Sequence, residues 1–421
     1  MIGDRMRTGA GEEWRRYWPV VIAAALGHST TTLSVYSIGP FVVPLQQAFG
    51  WTRAEIALGQ TVSSSIGWIF TLSVGLLIDR WGPRRVGLVG MVLICAAYAS
   101  LSTITSNIYS WYLHWLLLGF SAAWIQPTIW SGAVATRFDA SRGLAIALTV
   151  SGAGIGAAVL PALATHLIAE YGWRGGFVGI PIIWAAVALP IIFLFFRGAQ
   201  DTKEARASAA RRNAGDILPG LSLAQGLRSP VLYKMGLAGM LFHFSAVGLI
   251  SQFVPILESL DVQRMTAAKI AGLIGLSSIA GRLVTGVLLD RFRADKVAMG
   301  ALFLPAFAAA LVLNSHSTTS LACAALLLGL SLGSEFDCLM YLATRHLGLK
   351  RFGMMFAVML VFLSLGAATG PLAAGVIFDH TQSYRLYIWL LFPVVTAASL
   401  LIGFLGPYPQ LDAAAREPAA A

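Results

Sequence analysis

The sequence predicts an all-α membrane protein, with twelve transmembrane helices in two pseudo-symmetric halves of six. Three observations carry this. Hydrophobic residues make up 57% of the 421 and charged residues only 11%, against roughly 25% charged in a soluble domain. The apolar residues gather into runs of the ~20 residues that a bilayer-spanning helix needs. The chain also repeats itself. Gly75-Leu76-Leu77-Ile78-Asp79-Arg80 returns as Gly286-Val287-Leu288-Leu289-Asp290-Arg291, and Gly143, Gly156 and Pro161 return as Gly353, Gly366 and Pro371, at offsets of 211 and 210 residues.

In chain order, the predominantly apolar runs lie at 17–45, 54–78, 84–105, 109–136, 143–169 and 175–196, which form the first half, 1–197. A linker rich in Ala, Arg and Gly follows at 198–231, its alternating charge marking a surface segment. The second half, 232–421, repeats the order at 232–257, 268–289, 296–314, 320–343, 353–377 and 384–405, and ends in a tail after Pro409 expected to be disordered. Parallel repeats of about six spans are how many secondary transporters build a site between two rocking halves. Residues 1–16 mix basic and acidic side chains, and the apolar run after them is too long for the core of a cleaved signal peptide. Cys95, Cys323 and Cys338 lie in apolar runs without paired spacing and are expected to be small packing residues.

Lys and Arg residues set the orientation, because cytoplasmic loops carry the excess positive charge. With both termini inside, 23 of the 29 fall on the inner side. Arg53, Arg174, Arg264, Lys269 and Arg385 fall outside, and Arg282 lies within a span. The net charge of +10 is then mostly topology, with basic loops able to touch anionic lipid, and no nucleic-acid partner is expected.

Between spans two and three, Gly75-x-Leu77-x-Asp79-Arg80-x-Gly82-Pro83-Arg84-Arg85 resembles the loop motif of the major facilitator superfamily. The second half keeps its Gly-x-Leu-x-Asp-Arg core after span eight. The resemblance covers essentially the whole chain and implies the major facilitator fold. Gly permits close helix approach, Asp can accept from a neighbouring helix N-terminus, and Arg supplies pairs that break when the halves rock. Asp79, Arg80, Arg84, Asp290 and Arg291 are therefore the candidate gating residues, and ordinary basic loops are the plainer reading.

Within that superfamily, four segments are similar to the monocarboxylate porter family, including its bacterial organic-acid carriers and the oxalate:formate type. They are Phe49-Gly50-Trp51-Thr52-Arg53-Ala54, Ser141-Arg142-Gly143-Leu144-Ala145 with the spaced glycines from Gly152 to Gly156, Gly281-Arg282-Leu283, and Gly333-Ser334-Glu335-Phe336-Asp337. The resemblance implies that Arg282 binds a substrate carboxylate. Gly27-His28-Ser29-Thr30 stands where animal members carry an acidic-Gly-aromatic pattern, so animal-type lactate specificity is not implied.

The residues point the same way on their own chemistry. An ionisable group inside a span is expensive and by default marks a substrate or ion pathway. Ser278 at i−4 and Gly286 at i+4 give Arg282 no acid one turn away, so it is expected to stand as an open fork for a carboxylate. A structural pair with Asp337 or Glu335 is the competing reading. His28, Thr32 and Tyr36, at i, i+4 and i+8 of one helix face, are expected to line the path. Ser278, Gln126, Trp130 and His243 join them, although a lone intramembrane His or Gln is as often an interhelical hydrogen-bonding group. His114 and His166 are read as interfacial or structural. Glu335 and Asp337 point ~200° apart on a helix and cannot share one job. Together with His243, a residue type whose unperturbed ring exchanges protons near physiological pH, they are the candidates for a coupling proton; ion pairs with Arg345 or the loops are the competing reading.

The expected function is secondary active transport of small organic anions, monocarboxylates with aromatic ones among them, by proton symport and alternating access in the plasma (inner) membrane. An organic-anion exchanger of the oxalate:formate type and a multidrug exporter are the alternatives. No nucleotide motif, nucleophile elbow or metal cluster is visible, so no enzyme activity, cofactor or metal is expected.

Overall fold

The computed structural model describes residues 10–138, 140–198, 220–314, 317–348, 350 and 352–409, apart from the side chains of Ala10, residues 67–76 and Asp79. Most of the linker expected at 198–231 and the tail after Pro409 lie outside the described residues, as does the side chain of Asp79. Every described element is helical apart from a single bridge between Gly220 and Gly348.

The first span departs from a continuous helix. Helix α1 (Ala10–Ser29) ends where the hydroxyls of Ser29, Thr30, Thr31 and Thr32 each donate to the carbonyl three residues back, at 2.6 to 2.8 Å. Such back-bonding competes with the helix ladder and favours the tighter 3₁₀ turn, here Thr30–Thr32. A short α2 (Leu33–Tyr36), a second 3₁₀ turn (Gly39–Phe41) and α3 (Val42–Phe49) complete the segment. Next come α4 (Arg53–Trp81), α5 (Pro83–Ser100), α6 (Ile108–Ala122) and α7 (Pro127–Ala135). Span four breaks because the residue before a proline is pushed to extended backbone: Gln126 has φ −55° and ψ 148°, and Pro127 opens α7.

After α8 (Arg142–Val150), α9 (Gly152–Phe195) runs for 44 residues. That is ~66 Å at 1.5 Å per residue, about twice the hydrocarbon thickness of a bilayer. The chain folds back at Gly172, at φ 69° and ψ 175°, which brings Leu167 beside Gly179 and Ile168 beside Gly176. Spans five and six are thus joined by a one-residue turn.

The expected linker ends in a short helix, α10 (Leu223–Arg228), and then come α11 (Pro230–Ser251), α12 (Phe253–Glu258), α13 (Arg264–Arg291), α14 (Ala294–Asn314), α15 (Thr318–Leu347), α16 (Phe352–Thr381) and α17 (Arg385–Gly403). Eight helical segments among the described residues are long and apolar enough to cross a bilayer, and one of them, Arg142–Phe195, takes in two expected spans. Cys95 and Cys338 are buried, whereas Cys323 is exposed and does not pack as expected.

Buried hydrophobic side chains form two clusters, one from Val20 to Phe196 and one from Leu232 to Leu405. Two seams join them, α4 against α16 and α9 against α13. Glycine makes the second seam possible: a Cβ at Gly275 would collide with the backbone of Gly154 and Ala158, and one at Gly272 would stand 2.5 Å from the Ala158 carbonyl. In the first seam, Thr61 donates to the Ala368 carbonyl at 2.5 Å. At the other end of the bundle a Cβ on Gly143, Gly286 or Gly353 would meet nothing within 4 Å, and Leu144, Val287 and Met354 are exposed. Contacts that cross between the halves thus lie toward the end carrying Arg53, the sealed end, whereas Gly143, Gly286 and Gly353 border open space at the basic end, which carries Arg142, Arg291 and Lys350.

Candidate substrate site

The site begins with how closely α13 and α15 approach. A Cβ on Gly281, Gly329 or Gly333 would strike the backbone of Leu330, Ile274 or Ser278 respectively, and Thr285 donates to Ser334 at 2.6 Å across the same contact. This contact holds Arg282 against Asp337, with Nη1 donating to Oδ1 at 2.6 Å. The expectation of an open Arg282 fork is corrected: its helix holds no acid within reach, but the next helix does. The pair is not sealed away, since the two side chains are 14% and 24% exposed. Of the five N–H donors of a guanidinium, only this one has a partner among the described residues.

Arg282 opens onto a cleft between the halves. Tyr36, Val150, Ser151 and Gly154 line it from the first half, and Ser278, Leu332 and Gly333 from the second. A separate recess near Leu260 and Arg385, at the sealed end, shares none of these residues.

Glu335 points away from Asp337, toward α11. Its Oε1 lies 3.6 Å from His243 Nδ1, which also approaches the Gly239 carbonyl at 3.2 Å. Glu335 is 1% exposed and its Oε1 has no hydrogen-bond partner. The competing reading, ion pairs with Arg345, is not what the structure contains: Arg345 lies over the Tyr408 ring at 4.9 Å.

Other expected residues are distributed differently. Tyr36 reaches the cleft, but the 3₁₀ turn rotates Thr32 away from it, and Thr32 packs where a Cβ on Gly156 would stand. Thr32 is thereby corrected to a packing residue, and the three-residue face expected on span one does not exist. His28 is buried, and its Nδ1 has no partner among the described residues. Trp130 is also corrected: it is fully buried, donates to the Ile125 carbonyl at 3.0 Å, and fills the space above Gly27 and Gly87. Gln126 is half-buried and turns back on the Ala122 carbonyl at 3.3 Å. At the basic end Arg84 donates to the Phe193 carbonyl at 2.5 Å. Arg80, Asp290 and Arg291 are exposed there.

Sequence reasoning missed Val150 and Ser151, which enter the cleft because the chain breaks between α8 and α9. It also missed Asp379, which binds the start of α4 across the halves. The glycine cluster Gly152–Gly156 signalled the first, and nothing within helix periodicity signalled the second.

A sequence model of the Major Facilitator Superfamily matches residues 24–362. The chain belongs to that superfamily. Its relatives are transporters. An MFS-type transporter of Gibberella moniliformis is 26% identical over 374 residues, covering 87% of this chain and 84% of the relative. The uncharacterized transporter YycB of Bacillus subtilis is 24% identical over 391 residues, covering 89% of each. The riboflavin transporter RibJ of Trypanosoma cruzi is 32% identical over 153 residues, which is 35% of this chain and only 31% of the relative's length. This superfamily member is thus an all-α, multi-pass membrane protein of a transporter family, which is not an enzyme family.

Proposed function

We propose that this protein is a twelve-span proton symporter for small organic anions, of the kind found in the monocarboxylate porter family, working by alternating access between its halves 1–197 and 232–421. The basic open end is the cytoplasmic one, with both termini on that side of the plasma (inner) membrane. One observation carries the reading: Arg282 faces the cleft between the halves with one donor on Asp337 and the rest unclaimed. A carboxylate substrate competes with Asp337 for that guanidinium.

The charges then dictate coupling. Empty, the Arg282–Asp337 pair is neutral overall. Loaded with an anion and one proton, Arg282 holds the substrate, Asp337 carries the proton, and the site is neutral again. A buried charge without a partner costs several kcal/mol, so anion without proton, or proton without anion, is disfavoured. The same pairing favours symport over strict exchange, because an empty carrier with a self-neutralised site can reorient. His243 and Glu335 form a second place for a proton, set off the cleft. Tyr36 and Ser278 supply hydroxyls, and Leu332 with Val150 the apolar walls. A cation exporter would present an unpaired acid to the cleft, whereas Asp337 is on Arg282 and Glu335 is buried. Asp79, Arg80, Arg84, Asp290 and Arg291 would close the basic end when the other end opens.

Proteoliposome uptake of labelled lactate, benzoate and succinate, with and without an inward proton gradient, tests the reading. At least one acid should accumulate only with the gradient. Exchange of internal for external acid without any response to the gradient would make the protein an antiporter.

A further inference from the structure

We propose that the sealed end is held by a latch in which Asp379 of the second half completes the N-terminus of α4 in the first, and that this latch must break for that end to open. A helix begins with four N–H groups that have no acceptor within it. At α4 the first half satisfies two of them itself: Thr52 N donates to Glu55 Oε2 at 2.8 Å, and Glu55 N donates to Thr52 Oγ1 at 3.2 Å. The other two are satisfied from across the seam. Arg53 N donates to Asp379 Oδ1 at 3.0 Å and Ala54 N to Asp379 Oδ2 at 2.8 Å. The next N–H, of Ile56, reaches the Thr52 carbonyl at 3.1 Å. The start of α4 is thus fully capped only while the halves touch, and the carboxylate sits at the favourable end of the helix dipole.

The surroundings hold the carboxylate in place. The Arg53 guanidinium lies 3.6 Å over the Phe378 ring, and donates to Tyr384 Oη at 2.5 Å and to Gln46 Oε1 at 3.2 Å. Tyr384 donates onward to Gln252 at 3.0 Å. Gly375 leaves the room needed, since a Cβ there would stand 2.8 Å from Ala54 N. Arg264 adds a second tie, donating to the Pro40 carbonyl of the first half while pairing with Glu258 at 3.2 Å. Halves that reorient about the cleft must part here, where these bonds cross between them. On parting, two backbone donors and one carboxylate pass to water.

The test needs no substrate, so it stands apart from the transport reading. Spin labels are placed at Ser106→Cys and Leu386→Cys, exposed positions at the sealed end, one in each half, in full-length protein with Cys95, Cys323 and Cys338 replaced by Ala. Distances are measured by double electron–electron resonance in reconstituted membranes. Asp379→Asn, which loses the charge and one of two acceptors, should add a longer distance absent from the unaltered background. Gly375→Ala, which wedges the seam and leaves Asp379 in place, should add the same distance. An Asp379→Asn distribution identical to the background overturns the latch. If that variant does not fold, Asp379→Glu, whose longer arm cannot meet both N–H groups in register, decides by the same criterion.

Discussion

Glu335 and Asp337 sit two residues apart on α15 and serve different helices: Asp337 meets Arg282 of α13 at 2.6 Å, and Glu335 faces His243 of α11 at 3.6 Å. The first pair borders the cleft and the second is folded into the second half. Substitutions at the two carboxyls therefore separate a proton carried beside the substrate from one stored off the cleft.

Asp337→Asn leaves Arg282 without its internal anion. Substrate should bind more tightly, by tenfold or more, equal to about 1.4 kcal/mol, while accumulation under a pH gradient is lost and counterflow persists. Thermal-shift titration with the transported acid and the two uptake assays check this. Weaker binding would mean that Asp337 holds Arg282 in place and does not compete with substrate.

Arg282→Lys replaces a bidentate fork with a point charge. The variant should fold and reach the membrane yet lose at least about tenfold in apparent affinity, again about 1.4 kcal/mol. Uptake by the Lys variant at the unaltered KM would remove Arg282 from substrate binding.

Glu335→Gln and His243→Gln act away from the cleft. If this pair stores the coupled proton, both variants should keep counterflow, with KM changed less than twofold, and lose gradient-driven accumulation. Retention of accumulation in both, with its loss in Asp337→Asn, would assign the proton to Asp337 alone.

Helices whose sequence is a plain apolar run were legible nearly to their ends: α13 and α15 overlap the expected 268–289 and 320–343 throughout. Breaks made by local chemistry were harder to see. The hydroxyls of Ser29 to Thr32 bond three residues back and not four, a choice that hydropathy does not register, although four consecutive hydroxyl residues were the available sign. The site was half legible. Arg282 stood out because charge within a span is rare. Its partner was legible only as the competing reading, with Asp337 and Glu335 left undivided, because a test at i±4 sees only one helix and Asp337 lies 55 residues away. Trp130 misled for the same reason: an aromatic residue one turn from Gln126 fits a lining, and only Gly27 and Gly87 on other helices reveal a packed wedge.

Trp130→Ala tests that correction. Emptying a fully buried Trp site should destabilise the first half by about 3–5 kcal/mol, while the order of preference among transported acids stays as in the unaltered protein. Detergent thermal unfolding and competition uptake measure the two effects. An altered preference with unchanged stability would return Trp130 to the cleft.

Gly172 lets α9 reverse with no loop between its limbs. One limb packs on α13, while the other carries the exposed Ile182, Val187 and Phe193. With no slack at the turn, a rotation of the inner limb under the proposed alternating access would carry the outer limb with it and sweep its apolar face through the surrounding hydrocarbon. Friction from the lipid would then enter that step directly, and a stiffer bilayer would slow it.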